Sequence, residues 1–343
     1  MQNLTSYFST LHSNIMDPDR IPLAISAIVL AAILGVITGP VAGNANPLLW
    51  LLYDKTLGGF GDRLDRLHRA PADLALRGFA ITAIGLAAGL LIGKFYAALV
   101  WEKPVSGLTE IILLSTLITS GSIWYALLRL YFALEKKQAL QGSYLAISRS
   151  TRINLSATDD FGITRAGMGF AARAFDKGLV SPVFWYLIGG LPLAVIYSVL
   201  AALGWRFGKD GFSKGFGAVP LALEKLMGYV PSLFAATLMT LATIITPTAA
   251  IHKGVAAWFG HKNRAPYEQG GYPLSALAWS LNVSLGGASQ DLGGSALHSV
   301  WVGPEGATAK NDHKHLRRAI YINFAATILL MASLCGAYLW SGL

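Results

Sequence analysis

The stretch 177–205, KGLVSPVFWYLIGGLPLAVIYSVLAALGW, constrains this chain more than any other, because it is almost wholly apolar yet carries Gly189, Gly190 and Pro192 at its centre. A helix rises about 1.5 Å per residue and a bilayer core is about 30 Å thick, so a run of this length suffices for one crossing. Proline removes a backbone donor and clashes with the preceding turn, and paired glycines weaken a helix further. The run is therefore predicted to form a kinked helix or two half-helices. Inside a membrane such a break persists only where protein or a wet cavity takes up the freed backbone groups, so the break is expected to line a site.

The rest of the chain has the same character. Apolar residues make up 54% and charged residues only 13%, against about 25% charged in ordinary soluble domains. This is the composition of an all-α, polytopic membrane protein, read as one integral domain over 1–343. About six membrane segments are expected, near 21–37, 78–100, 108–133, 179–203, 230–258 and 319–340. The fourth is broken or re-entrant near 179–203, and Thr246-Pro247-Thr248 offers a second break inside the fifth.

The net charge of +9 does not require nucleic acid. Most of the 27 Lys and Arg fall in 40–77, 134–178 and 259–318, which the positive-inside rule makes cytoplasmic loops with interfacial helices. Both termini are then periplasmic, in an inner membrane of bacterial type. The basic stretch 206–225 is the exception, and a re-entrant fourth segment would return it to the cytoplasmic side. No Lys or Arg precedes Arg20, so 21–37 reads as an uncleaved span. The one cysteine, Cys335, excludes a disulfide framework and reads as a buried inert thiol.

Local patterns carry little chemistry. Asp62, Asp65 and His68 lie in a charged run read as solvated ion pairs on a short surface helix. Ser156 or Thr158 is expected to cap a helix whose first turn holds Asp159 and Asp160. On that helix Phe161, Met168, Ala172, Phe175 and Leu179 share one face, beside Arg165, Arg173 and Lys177. This predicts a basic amphipathic helix at the membrane surface. The stretch 261–318 contains Gly270-Gly271, Gly286-Gly287 and Gly293-Gly294 without a phosphate-cradling pattern. Asp312, His313 and His315 lack a third fixed partner, and no metal site is predicted.

Several short motifs agree in order and spacing with a known family. They run from Val180, Ser181, Pro182 and Trp185 through Gly189, Gly190 and Pro192 to Tyr197, then Phe216-Gly217, Tyr229-Val230-Pro231, Gly271-Tyr272-Pro273 and Leu285-Gly286-Gly287. The chain resembles the CobD/CbiB family of adenosylcobinamide-phosphate synthases, integral membrane proteins of cobalamin biosynthesis. The likeness is best over 152–294, and Asn46-Pro47 stands where the family has His-Pro. It implies ATP- and magnesium-dependent amide formation between a corrinoid carboxylate and an aminopropanol phosphate, which needs carboxylates to hold the metal.

At the positions to which the resemblance assigns acidic or polar groups, this sequence has others. Gly169, Arg173, Ala174, Phe175 and Lys177 replace the group before Ser181, and Gly204 ends the run where an Asp is implied. Glu224-Lys225 replaces a pair of aspartates, Gly228 an Asn, and Leu274 a Glu, with Gln269 nearby. Apolar and glycine positions persist while acidic ones have become basic or neutral. The leading expectation is a non-catalytic scaffold or accessory subunit with no cofactor. Its partners would be membrane lipids and a protein docked on its basic face. The alternatives are an active divergent synthase that takes ATP, Mg and a corrinoid, with Glu224, Asp159, Asp160 and Gln269 as substitutes, and a small-molecule or lipid transporter. The transporter reading is weakened because the interiors of the expected segments hold no Asp or Glu of the kind coupled transport requires.

Overall fold

A computed structural model describes residues 17–66, 69–101, 106–138, 142–211, 215–259, 263–297 and 299–341. His68 lies outside these. Six helical stretches among the described residues are long and apolar enough to cross a membrane. They are Arg20–Thr38, Pro71–Leu99, Gly107–Glu135, Asp160–Phe207, Ala218–Ile245 and His313–Ser341.

In chain order, α1 (Arg20–Thr38) is followed by α2 (Leu48–Tyr53), which runs through a π turn at Asp54–Gly58 into α3 (Gly59–Leu64). The long α4 (Pro71–Trp101) comes next, and α5 (Ser106–Leu117) and α6 (Gly121–Glu135) share the third span. After α7 (Leu145–Thr151), α8 (Asp160–Phe175) continues through a second π turn, Asp176–Val180, into α9 (Ser181–Phe207). The chain closes with α10 (Ala218–Ala242), α11 (Ile251–Phe259), α12 (Gly271–Leu281) and α13 (His313–Ser341). A two-residue hairpin, β1 (Ser289–Gln290) and β2 (Ala296–Leu297), sits before α13.

The central helix is α9, packed chiefly against α4 and α10. Its buried Tyr186 and Tyr197 meet a core that includes Phe170 and Phe175 of α8. Large apolar side chains also cover the outside: Ile37, Leu91, Leu226, Phe259 and Trp340 are all strongly exposed. That inversion of the soluble pattern suits a lipid-facing surface. Cys335 is on this outward side of α13, not in the protein interior.

Two boundaries differ from the sequence expectation. The fifth span begins at Ala218, not near 230, because Pro220 falls in the first helical turn, where a missing N–H costs nothing. It ends by Ile245, since Pro247 and the left-handed Thr248 (φ 63°) stop it, and α11 is a separate short helix. The fourth helical stretch starts at Asp160, capped by Asp159, whose carboxylate accepts from Gly162 N at 2.7 Å; neither Ser156 nor Thr158 is the cap. Far from lying on the membrane surface, α8 is buried against α13 and α7, with Met168 and Ala172 fully enclosed. Apolar periodicity registers a covered face without saying whether lipid or protein covers it. These earlier starts also bring Asp176 and Glu224, both buried, into the long helical stretches.

Each interruption in a span is met by protein. At the predicted break, Gly189 (φ −139°, ψ 21°) and Gly190 (φ 68°, ψ −164°) leave helical geometry, and Arg20 donates to the freed Leu187 carbonyl. Pro192 packs against Gly93 of α4, so this break is a helix junction and lines none of the cavities described below. Between α5 and α6, Thr119 N donates to Gly178 O at 2.8 Å and Thr119 Oγ1 to Ala45 O at 2.7 Å. The buried Asn323 of α13 accepts from Trp124 and donates to Ala171 O, tying α6 to α8.

The α1–α6 crossing depends on two glycines in contact. A Cβ on Gly121 would lie 1.9 Å from Ala32 O and 2.7 Å from Val36 N. Gly121→Ala is expected to cost about 1–3 kcal/mol by forcing the helices apart. A lowered melting temperature of the detergent-purified protein checks this, with Gly336→Ala as the neutral control because nothing lies within 4 Å of its Cβ.

Candidate functional site

The π turn at Asp176–Val180 inserts one extra residue into the helical path, turning Asp176 and Lys177 into the protein together. Lys177 Nζ lies 2.7 Å from Glu224 Oε1 of α10, with side-chain exposures of 6% and 0%. The same ammonium sits 4.1 Å from the ring centre of Tyr267, a cation–π contact strengthened by the absence of water. Tyr267 Oη donates to the Glu224 backbone carbonyl at 3.1 Å. Burial and the Glu224 charge together push the Tyr267 phenol well above its ordinary range, so it remains a neutral donor. Ser181 Oγ donates to Asp176 Oδ1 at 2.8 Å. Arg173, one turn earlier, is within electrostatic reach of Glu224. Two cations thus balance two carboxylates in one buried cluster.

Glycines make room for it. A Cβ on Gly204 would fall 1.9 Å from Glu224 Oε2, and one on Gly228 would fall 2.1 Å from Tyr267 Oη. Glu224 Oε2, Tyr197 Oη and Ser232 Oγ are buried without a hydrogen-bond partner among the described residues.

In front of the cluster is a cavity of about 450 Å³, onto which Gly169, Arg173, Gln269, Leu274, Gly286 and Gly287 all open. Among the described residues, Arg165 and Arg173 are its only charged side chains. Gly286 and Gly287 take φ of 89° and 92°, conformations that favour glycine, and a Cβ on Gly286 would strike Val300 O. The Gln269 amide is committed at both ends, donating to Val300 O at 2.8 Å and accepting from Val300 N at 3.0 Å. A narrower cleft of about 110 Å³ adjoins it, lined by Lys177, Gly204, Trp205 and Lys209 among others.

The rim of that cleft is a network of ion pairs. Arg206 Nε lies 2.6 Å from Asp54 Oδ1, Arg206 also pairs with Asp62, and Lys209 pairs with Asp291. Arg152 stacks over Trp205, and burial together with Arg206 lowers its affinity for a proton, an effect that Asp54 only partly offsets. Burial opposes ionisation of Asp291, but Lys209 and the Ser295 and Gly293 amides outweigh it and hold the carboxyl below its usual range.

The positions read from the sequence separate into groups. Arg173, Lys177, Gly204, Glu224 and Gly228 form the cluster, while Gly169, Gln269, Leu274, Gly286 and Gly287 belong to the cavity wall. Ala174 and Phe175 are core residues, and Lys225 turns outward to another cleft. Ser181 and Pro182 open α9, while Pro231 and Pro273 are buried in α10 and α12. Asp62 is a rim ion pair, and Asp312 accepts from the Lys314 and His315 amides at the start of α13. Sequence reasoning missed Asp176 and Tyr267, and read Tyr197 as the end of a motif without a place in this cluster. For Asp176 the signal was an acid beside a lysine at the mouth of an apolar run, and Tyr267 carried none.

Removing one partner of a buried pair strands the other charge. Lys177→Met is expected to cost about 3–5 kcal/mol, and Lys177→Met combined with Glu224→Leu to recover most of it. Thermal unfolding of the four proteins in the double-mutant cycle checks this, and additive losses would contradict the coupling.

The cavity and cluster lie within a family-wide likeness. The family model described as CobD/Cbib protein matches residues 28–323. The chain is 28% identical over 262 residues to "Cobalamin biosynthesis protein CobD" of Brucella anthropi, covering 71% of this chain and 77% of that protein. It is 26% identical over 279 residues to the protein of the same name from Sinorhizobium sp, covering 76% and 83%. It is also 23% identical over 271 residues to "Probable cobalamin biosynthesis protein CobD" of Methanothermobacter thermautotrophicus, covering 76% and 84%. No solved structure matches. With its second to fifth spans and both cavities inside the matched region, and its first and last spans entering it, the chain belongs to the CobD/Cbib family.

Proposed function

We propose that this protein serves cobalamin biosynthesis as a non-catalytic, membrane-embedded accessory subunit, one that keeps the CobD/CbiB fold without ATP- and magnesium-dependent amide formation. The place in cobalamin biosynthesis rests on the names of its relatives. The loss of chemistry rests above all on the buried Lys177–Glu224 pair.

Magnesium demands hard oxygen ligands in near-octahedral array. Here one Glu224 oxygen already holds an ammonium, the other abuts Gly204, and Asp176 accepts from Ser181. Arg173 and Lys177 add positive charge where the resemblance asks for carboxylates. Magnesium held with ATP needs only one or two protein carboxylates beside the phosphates, and each of the two carboxylates of this cluster already has a partner. The residues present do not fit a magnesium–ATP centre. What remains is the 450 Å³ cavity, whose two guanidiniums, with no acidic side chain among the described residues lining it, suit retention of an anionic group without a metal.

The test is a nanodisc preparation supplied with ATP, magnesium, a corrinoid carboxylic acid and aminopropanol phosphate. Neither amide product nor ADP is expected above a protein-free blank, and the gene is expected not to rescue a synthase-deficient strain despite good membrane expression. Amide formation in the first assay would overturn the proposal and establish the divergent synthase.

A further inference from the structure

Away from the site just described, two adjoining hollows meet on the outer face of the bundle. One is an apolar groove of about 600 Å³ between α1, α6 and α13, walled by Trp124, Leu128, Phe132, Ile320 and Phe324. The other is a smaller polar recess of about 220 Å³, walled by Arg149 and Ser143 together with Gly43. Tyr125 and Arg129 belong to both. Among the described residues no acidic side chain lines either.

The two arginines are held differently. Arg149 is positioned by one hydrogen bond, Nη1 to Ala42 O at 2.9 Å, and Gly43 at φ 73° leaves it room, since a Cβ there would lie 2.6 Å from that nitrogen. Arg129 is exposed, and it makes no hydrogen bond or ion pair among the described residues. It lies about 9 Å inside the end of α6, between Tyr125, which Gly39 after α1 packs against, and Tyr131, whose ring meets His313 at the start of α13. An arginine at that depth extends its head toward the interface. Tyrosine and tryptophan beside it are the residues that settle at headgroup level.

We propose that this composite hollow is a binding site for one anionic phospholipid, its acyl chain in the groove and its headgroup phosphate between Arg129 and Arg149. A zwitterionic headgroup would bring its own cation against two guanidiniums with no carboxylate to receive it. The charge of the recess therefore selects a lipid with net negative charge. Neither the fold match nor the cavity above bears on this assignment.

Native mass spectrometry of the full chain, released from nanodiscs of phosphatidylglycerol and phosphatidylcholine with identical acyl chains, tests it. The wild type is expected to retain one phosphatidylglycerol in preference to phosphatidylcholine. Arg129→Gln with Arg149→Gln is expected to weaken that preference about twenty-five-fold, about five-fold for each arginine. Arg129→Lys with Arg149→Lys should keep most of it, and Phe132→Ala with Phe324→Ala should lower retention of both lipids. Equal retention of the two lipids by the wild type would overturn the proposal. So would an unchanged preference in a monodisperse double Gln variant, displacement of the lipid by millimolar inorganic phosphate, or occupation of the groove by a second copy of the chain.

Discussion

An ammonium and a carboxylate held 2.7 Å apart with almost no access to water organise the interior of this protein. Neither charge is tolerable there alone, since the effective cost of burying an ion is several kcal/mol. The surrounding architecture answers to that constraint. The π turn carries Lys177 inward, α10 presents Glu224 to it, Tyr267 offers its ring to the ammonium and its hydroxyl to the backbone, and Gly204 withdraws so that the carboxylate has space.

A second constraint acts along the helices. A bilayer supplies no hydrogen bonds, so every departure from helical geometry needs a partner from elsewhere in the chain. The gap between α5 and α6 bonds to the π turn and to Ala45, and the Gly189–Gly190 break bonds to Arg20. The first of these links directly to the segment carrying the buried ion pair. Irregularity in the third span and irregularity in the fourth are thus one feature seen from two sides.

Much of the architecture was readable from the chain. Six apolar runs gave six spanning helices, and the broken run is broken at the glycines that announced it. The starts of the long helical stretches were read less well, because charged residues such as Lys177 look like the exposed face of a surface helix when their partners are unknown. Glu224, 47 positions from Lys177, supplies the neutralisation that lets the helix continue through them. The cavity wall was partly legible, since Gly286 and Gly287 appear as a pair and take positive φ. Tyr267 was not, because an isolated tyrosine carries no periodic or spacing signal and acquires its role only by tertiary approach, and Tyr197 was legible as a motif residue but not as a neighbour of the ion pair. The break was visible and its purpose was not, because the same glycines serve a packed junction as readily as a cavity.

The contact between Gly204 and Glu224 has a consequence for which substitutions the site can accept. A Cβ at position 204 would come within 1.9 Å of Oε2, so any side chain acquired there must displace a carboxylate, which in turn must release Lys177. Positions 204, 224 and 177 are therefore tied to one another, because each single change carries either a clash or a stranded charge. The site behaves as a lock: the glycine and the ion pair hold each other in place, and a chain that alters one of them alone folds less well.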